Sequence, residues 1–312
     1  MSDARLQPEV EAVLRRLESL GSGEPPTPER VRENNVKATA MIAGEPEEVA
    51  GTWEQTVETD AGTVPVRWYV PFEARPDKLL VHVHGGGFVA GTLDTYDPFC
   101  RSLSRRTGAM IANVGYSLSP EATHPKALRE VIGFLRQARS LADAADLPVS
   151  FWAIIGDSAG GCLAAAAVSE MASSGYDLPN AAVLIYPMLD ATMNYKSYET
   201  LGEGYQITTA QLRWYWRQYG GPGFDPRNPS ISPIYSGQVA RFPPTMIISA
   251  AFDPLRDEGA AFGKRLREAA VLVEELDVPG TIHGFLRMRG VLHDPTWGPD
   301  AIMDRIGHFL AS

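Results

Sequence analysis

The 312-residue sequence contains only two cysteines, Cys100 and Cys162, and no hydrophobic run of membrane-spanning length. Two thiols are too few for a disulfide framework, and a membrane-spanning helix needs roughly 20 consecutive apolar residues. Residues 1–5 also lack the apolar core of a secretory leader. We therefore expect a cytoplasmic protein with no membrane span.

Basic residues are also scarce: 28 lysines and arginines stand against 38 acidic residues, for a formal net charge of −10. This balance argues against nucleic acid or an anionic membrane as partner and favours a small-molecule substrate. The chain has no internal repeat and no low-complexity tract. Its 44% hydrophobic and 21% charged residues are ordinary for a globular protein.

Strand-like and helix-like segments alternate from residue 79 onward, which predicts an α/β fold with a mostly parallel central sheet flanked by helices. Two regions depart from this rhythm. Residues 1–50 contain two helical segments separated by a glycine- and proline-rich break at 21–26, and residues 188–243 form an aromatic-rich insertion. We predict that residues 1–50 and 188–243 build a helical cap over a core made of residues 51–187 and 244–312. Most aromatics of the insertion are expected to form its own small core.

The segment Gly156-Asp157-Ser158-Ala159-Gly160 joins an apolar strand to an alanine-rich helix. A Gly-x-Ser-x-Gly sequence in this context predicts a nucleophile elbow, which holds the serine in a strained conformation above the sheet. Side chains at positions 156 and 160 would collide with the neighbouring element. The motif by itself also fits a glycine turn in any doubly wound sheet, so partners for Ser158 are needed.

A serine nucleophile needs a base, and the base needs an acid that orients it. His283 follows the last predicted strand and is our candidate base, while His293, in an irregular loop, remains an alternative. Asp253 follows the strand at 245–249 and is our candidate acid. Asp190 is a rival at another strand end, and Asp257 is expected to satisfy free N–H groups of its own helix. The chain order serine, aspartate, histidine is that of α/β-hydrolases.

Acyl transfer also needs hydrogen-bond donors for the developing oxyanion. The loop His84-Gly85-Gly86-Gly87 follows a buried strand and offers N–H groups that no side chain blocks. Two of these three glycines, together with the Ala159 N–H, would make a three-donor site, and His84 is expected to brace the loop by hydrogen bonds. No phosphate-loop signature accompanies the glycines.

Four motifs in order give the chain a family resemblance: His84-Gly85-Gly86-Gly87-Phe88, Gly156-Asp157-Ser158-Ala159-Gly160-Gly161, Asp253-Pro254-Leu255-Arg256-Asp257-Glu258-Gly259 and His283-Gly284-Phe285. The sequence resembles the bacterial hormone-sensitive lipase family, the family IV esterases of the α/β-hydrolase superfamily, over nearly its whole length. Tyr186-Pro187 also fits this pattern.

The resemblance implies a serine carboxylesterase for short- to medium-chain acyl esters, with a helical cap and without a metal or organic cofactor. It admits a homodimer. An amidase, lactonase or deacetylase would keep the same triad, and a non-catalytic receptor, as in the plant gibberellin receptors, would lack the base histidine. The implied roles are Ser158 as nucleophile, His283 as base, Asp253 as orienting acid, and Gly86, Gly87 and Ala159 as oxyanion donors.

One departure from the family pattern lies at Ser117 and Ser119, where the family usually has arginine and alanine. The ion pairs of that arginine are expected to be missing here, with a consequence for local packing rather than for the chemistry.

Overall fold

The computed structural model describes residues 5–20, 25–72 and 77–312. The predicted N-terminal stretch at 1–4 and the predicted break at 21–24 lie outside the described residues. Within these ranges the strands form a single eight-stranded sheet in the order β1-β2-β4-β3-β5-β6-β7-β8. The strands are β1 (Gly51–Thr59), β2 (Gly62–Val70), β3 (Lys78–Val83), β4 (Met110–Val114), β5 (Phe151–Asp157), β6 (Ala181–Ile185), β7 (Thr245–Phe252) and β8 (Val273–Ile282).

The pairings β1–β2 and β2–β4 are antiparallel, and all other neighbouring strands of this sheet run parallel. The predicted α/β fold is thereby confirmed. The helices are α1 (Pro8–Glu18), α2 (Pro28–Ile42), α3 (Asp97–Thr107), α4 (Lys126–Leu135), α5 (Ala138–Ala144), α6 (Ala159–Ser174), α7 (Ser197–Thr200), α8 (Thr209–Gly220), α9 (Arg256–Glu268) and α10 (Pro299–Phe309), with 3-10 turns at Pro233–Tyr235, Val239–Arg241 and Phe285–Arg287.

Two hydrophobic clusters cover the two faces of the sheet. One contains the buried residues of α4, α6 and α9, and the other contains those of α1, α3 and α10. Helix α6 is buried nearly all round, with 13 of its 16 residues inaccessible, which explains its alanine-rich sequence without a polar face. The first turn of α6 is therefore held rigidly against the sheet.

Strand β8 runs further than the sequence predicts. Proline and glycine disfavour strand interiors, so residues 279 and 280 indicate a loop. In the structure the register shifts between Ala250 and Phe252, and pairing resumes at Phe252 and Ile282 after the chain has passed this proline and glycine. Both strands therefore end together, and the next residue on each is a candidate site residue.

The sequence of residues 126–144 predicts one helix, but the structure has two, α4 and α5. At the junction the Gln137 N–H donates to the Phe134 carbonyl, three residues back, so the helix tightens and ends. The Gln137 amide also bonds the carbonyls of Glu58 and Gly133. Contact with the hairpin formed by β1 and β2 therefore decides this break.

The missing family arginine at Ser117 is replaced by other groups. Glu130, only 1% exposed, accepts hydrogen bonds from the Ser117 N–H and hydroxyl at 2.7 Å each. The Lys126 ammonium lies 3.2 Å from the same carboxylate. The buried acid at this place thus keeps a cationic partner, although the partner comes from α4.

Candidate active site

The turn between β5 and α6 has the geometry of a nucleophile elbow. Ser158 adopts φ +54° and ψ −118°, a conformation that a residue with a side chain rarely takes. A Cβ at Gly156 would lie 2.3 Å from the Gly160 carbonyl oxygen, and one at Gly160 would lie 1.9 Å from the Val83 oxygen. The predicted collisions are therefore present, and the turn presents Ser158 to a cavity above the sheet.

Asp253 and His283 follow the paired residues Phe252 and Ile282, so the sheet register brings them side by side. The His283 Nδ1 lies 2.7 Å from Asp253 Oδ2, and its Nε2 lies 2.9 Å from Ser158 Oγ. Asp253 is fully buried, and its Oδ1 accepts the Leu255 N–H at 2.8 Å. The three predicted side chains therefore form one continuous hydrogen-bonded chain.

The rival residues lie elsewhere. His293 is exposed, and Asp190 accepts hydrogen bonds from Thr192 and Tyr235 in the insertion. Asp257 was predicted to satisfy N–H groups of its own helix. Instead its carboxylate accepts the Ser197 N–H and pairs with Arg256. Its role is to tie α7 of the insertion to the loop that carries Asp253.

The N–H groups of the glycine loop are of two kinds, those with a hydrogen-bond acceptor and those without one. The Gly85 N–H donates to Asp157 Oδ1 at 2.8 Å and to Tyr96 Oη at 2.9 Å. In the described part of the chain the N–H groups of Gly86 and Gly87 have no hydrogen-bond acceptor, and both residues line the cavity beside Ser158. Among the described residues the Ala159 N–H also has no acceptor, as expected for the first residue of α6, whose N–H has no intrahelical partner.

His84 braces this loop from below. Its Nδ1 lies 2.8 Å from the Gly85 carbonyl, and its ring stacks on Tyr116 with centroids 4.2 Å apart. The Tyr116 hydroxyl donates to the His84 carbonyl at 2.7 Å. Burial lowers the pKa of His84 to about 4, so at neutral pH the ring is uncharged and its Nδ1–H serves as a donor to Gly85.

A buried network behind the loop was not predicted from the sequence. The Tyr96 hydroxyl donates to Asp157 Oδ2 at 2.8 Å, so Asp157 and Tyr96 both hold the Gly85 N–H. His82 Nε2 lies 3.6 Å from Asp157. Burial alone would raise the pKa of Asp157, but the nearby His82 ring, the hydrogen bond from Tyr96 and the positive charge of Arg287 outweigh it and lower the pKa. The carboxylate is therefore charged and couples the elbow to the glycine loop.

The cavity above Ser158 measures about 340 Å³. Its walls come from α1 and α2, from α8 and the residues before it, and from the loop after His283. Tyr215 of α8 closes one side so tightly that a Cβ at Gly87 would lie 2.2 Å from its ring. Phe88 stacks on Tyr219 with centroids 3.9 Å apart, so insertion aromatics expected to form their own core pack on the glycine loop instead.

No group of three or more histidine, cysteine, aspartate or glutamate side chains in residues 5–20, 25–72 and 77–312 is arranged to hold a metal ion. No helix in these ranges is long and apolar enough to cross a membrane.

A serine elbow, a histidine and an aspartate at the carboxyl ends of parallel strands are typical of serine hydrolases with the α/β-hydrolase fold. The sequence model of the α/β-hydrolase-fold family matches residues 80–287. The chain belongs to this family and, within it, to the hormone-sensitive lipase-like, family IV esterases. It is a carboxylic ester hydrolase, as the resemblance predicted.

Three similar proteins support this assignment. The chain is 29% identical to ethyl acetate hydrolase of Pseudomonas putida, over 98% of this chain and 99% of that protein. It is 32% identical to acetyl esterase of Salmonella dublin, over 82% and 78% of the two chains. Its fold matches the crystal structure of an α/β hydrolase enzyme from the metagenome of Lake Arreo with a TM-score of 0.89 and 28% identity, covering 98% and 99% of the chains.

Proposed function

We propose that the enzyme hydrolyses short-chain acyl esters through an acyl-enzyme on Ser158. The observation that carries this proposal is the hydrogen-bonded chain Ser158–His283–Asp253, with contacts of 2.9 and 2.7 Å. His283 Nε2 takes the serine proton as Ser158 Oγ attacks the ester carbonyl, and then delivers that proton to the leaving alcohol. Asp253 keeps the ring oriented and stabilises the imidazolium that forms.

The tetrahedral oxyanion accepts hydrogen bonds from the N–H groups of Gly86, Gly87 and Ala159. Gly85 is excluded from this role because Asp157 and Tyr96 hold its N–H. After the alcohol leaves, water attacks the acyl-enzyme, His283 accepts the water proton, and collapse of the second tetrahedral intermediate returns the proton to Ser158. The net reaction consumes only the ester and one water molecule.

The cavity and the relatives support a preference for short acyl groups. A volume of about 340 Å³ has to hold both halves of the ester, and Tyr215 lies directly against Gly87. Two similar proteins are an ethyl acetate hydrolase and an acetyl esterase. We expect kcat/KM to be highest for p-nitrophenyl acetate or butyrate and to fall by about tenfold or more at the octanoate.

The decisive experiment combines turnover with covalent labelling. Ser158→Ala should lose turnover of p-nitrophenyl acetate and labelling by a fluorophosphonate, whereas Ser173→Ala, at an exposed position of α6, should keep both. Turnover like that of the wild type in Ser158→Ala would sink the mechanism. A panel of anilides, lactones and N-acetylated amines separates esterase from amidase, lactonase or deacetylase activity.

The proposed setting is a cytoplasmic homodimer. Cys100 and Cys162 are buried free thiols, which suits a reducing compartment, and a dimer is a state that the family resemblance admits. Cell fractionation and sedimentation velocity test the two parts, and a monomer over a wide concentration range would contradict the second.

A further inference from the structure

Arg287 is a cation of the cavity, and its charge also acts on the buried Asp157 carboxylate, whose pKa it lowers. It lies in the 3-10 turn after His283 and lines the cavity that contains Ser158. Its Nη2 donates to the Thr39 hydroxyl at 2.9 Å and to the Thr95 carbonyl at 3.1 Å, and its guanidinium lies 4.0 Å from the centre of the Tyr96 ring. Among the described residues no carboxylate forms an ion pair with it.

The other arginines that fix the cap and its surroundings behave differently. Arg289, two residues later, pairs with Glu47 at 2.9 Å and with Asp300 at 2.7 Å. Arg32 forms a bidentate pair with Glu121. A guanidinium has five N–H donors in a planar fork that suits a carboxylate. Both hydrogen bonds of Arg287 to the protein come from Nη2, so the N–H groups of Nη1 and Nε are available to a ligand.

A second polar group of the cavity also lacks a partner. Asn35 lies one helical turn before Thr39 on α2, so the two side chains share a helix face. Asn35 lines the cavity, and its Oδ1 is buried without a hydrogen-bond partner. A half-turn about its Cβ–Cγ bond exchanges oxygen and nitrogen, so that the amide can donate.

Two acidic residues also line the cavity. Glu18 is exposed, so solvent screens its charge. The buried Asp157 carboxylate accepts hydrogen bonds from the Gly85 N–H and the Tyr96 hydroxyl.

We propose that Arg287, assisted by Asn35, binds a carboxylate of the substrate, so that the enzyme acts on esters carrying an anionic group in the acyl or the alcohol part. This inference rests on the proposed function, because the ester bond must lie at Ser158 while the carboxylate reaches Arg287. The reaction remains ordinary hydrolysis, which releases a dicarboxylate in the first case and a hydroxy acid in the second. Arg287 thus acts in substrate selection.

Isosteric pairs of esters test the proposal and distinguish the two locations of the anion. For the acyl part, monoethyl succinate is compared with ethyl 4-methylpentanoate. For the alcohol part, 3-acetoxypropanoate is compared with 3-methylbutyl acetate. In each pair a carboxylate replaces an isopropyl group of similar shape. The readout is the ratio of kcat/KM for the anionic ester to that for its neutral partner.

In Arg287→Met this ratio should fall by about tenfold or more in at least one pair, since a charge-assisted hydrogen bond is lost. In Arg287→Lys this ratio should fall less. Arg213→Met removes one cation from an exposed position of α8 and should leave the ratio unchanged. A fall below tenfold in both pairs, or an equal fall in Arg213→Met, would overturn the proposal.

Two further observations separate failure of this proposal from misfolding of the variant and from failure of the proposed function. If Arg287→Met does not fold, product inhibition of the wild-type enzyme decides. For the alcohol part, 3-hydroxypropanoate is compared with 3-methylbutanol, and for the acyl part, succinate is compared with 4-methylpentanoate. The first member should inhibit neutral-ester hydrolysis at least about tenfold more strongly in at least one pair, and equal inhibition within both pairs overturns the proposal. Failure of the proposed function looks different, because then no neutral ester is hydrolysed in a Ser158-dependent manner.

Discussion

Helices α6 and α2 both border the candidate active site, and they are held in place by different forces. In α6, which begins at the nucleophile elbow, 13 of 16 residues are buried. In α2, which covers the cavity, Ile42 is the sole buried residue of 15. Packing therefore fixes the part of the site where the chemistry takes place, whereas α2 depends on a few polar contacts.

Those contacts are mainly two arginines. Arg32 reaches from α2 to the Val89 carbonyl at 2.9 Å and to Glu121, and Arg287 reaches from the core to Thr39 of α2. Removal of one exposed contact costs little free energy, so we expect α2 to open locally more easily than α6. The hydrogen-bonded chain Ser158–His283–Asp253 and the α2 wall of the cavity therefore rest on structurally separate supports.

The largest effect is expected in the core. Asp253→Asn should lower kcat for p-nitrophenyl acetate by about 10⁴-fold, because the amide no longer orients and stabilises the protonated His283. Asp190→Asn, a matched change of a buried aspartate at another strand end, should alter kcat by less than about threefold. Steady-state kinetics with a melting curve for each variant measure this, and a loss below tenfold in Asp253→Asn contradicts the assigned role.

The second prediction concerns stability against pH and His84. The folded-state pKa of about 4 lies below the ordinary value of 6.5, so between these values the unfolded chain binds a proton that the folded protein does not. The free energy of unfolding should therefore fall as pH drops from 6.5 to 4, by about 3 kcal/mol from this residue, and no further below 4.

Urea denaturation at several pH values measures this effect. His84→Asn should remove most of the loss in this window, and the exposed His308→Asn should remove none. An unchanged pH dependence in His84→Asn would show that protonation of the buried His84 ring does not cause the loss of stability.

The third prediction separates the oxyanion loop from substrate binding. Asp157→Asn should lower kcat by about 10- to 100-fold with little change in KM, because Gly85 and the adjacent donors lose their charged anchor. Tyr96→Phe removes one acceptor of the same N–H and should cost less. A change confined to KM would mean that Asp157 supports the cavity rather than the donors.

The smallest effect is expected in α2. Arg32→Met should cost about 1 kcal/mol in the free energy that holds α2 to the core, raise KM a few-fold and leave kcat nearly unchanged. Hydrogen exchange of α2 should accelerate. Lys37→Met, which removes only an exposed pair with Glu33 at 3.7 Å, is the control. A loss of kcat in Arg32→Met would contradict the separation of cap and chemistry.

Much of the candidate site could be predicted because its parts are local motifs. The elbow glycines, the glycine loop and the positions of Asp253 and His283 after strands are each readable within a few residues. The end of β8 was predicted too early, since the register shift beside Ala250 depends on the neighbouring strand. The division of the chain into core and cap at residues 50, 187 and 243 stays a prediction.

Other parts of the site depend on contacts between distant residues, which leave no signal in the local sequence. Tyr96 and Asp157 are 61 positions apart, and Arg287 and Thr39 are 248 apart, yet both pairs are in contact. Sequence reasoning passed over Arg287, although a charged residue within the apolar run 285–288 was a signal. Asp257 was assigned to its own helix because the contact with Ser197, 60 positions away, cannot be seen from spacing.

The sequence alone determined the fold class, the elbow at Ser158 and its chain order with Asp253 and His283, because backbone periodicity and turn chemistry are set by near neighbours. Only the tertiary structure shows why Gly86 and Gly87, the donors that the family resemblance implies, differ from Gly85, whose N–H is held by Asp157 and Tyr96. It alone also places Arg287 beside the cavity without a direct ion pair among the described residues. A free donor or an unpaired charge is a property of everything packed around it, and those neighbours come from distant parts of the chain.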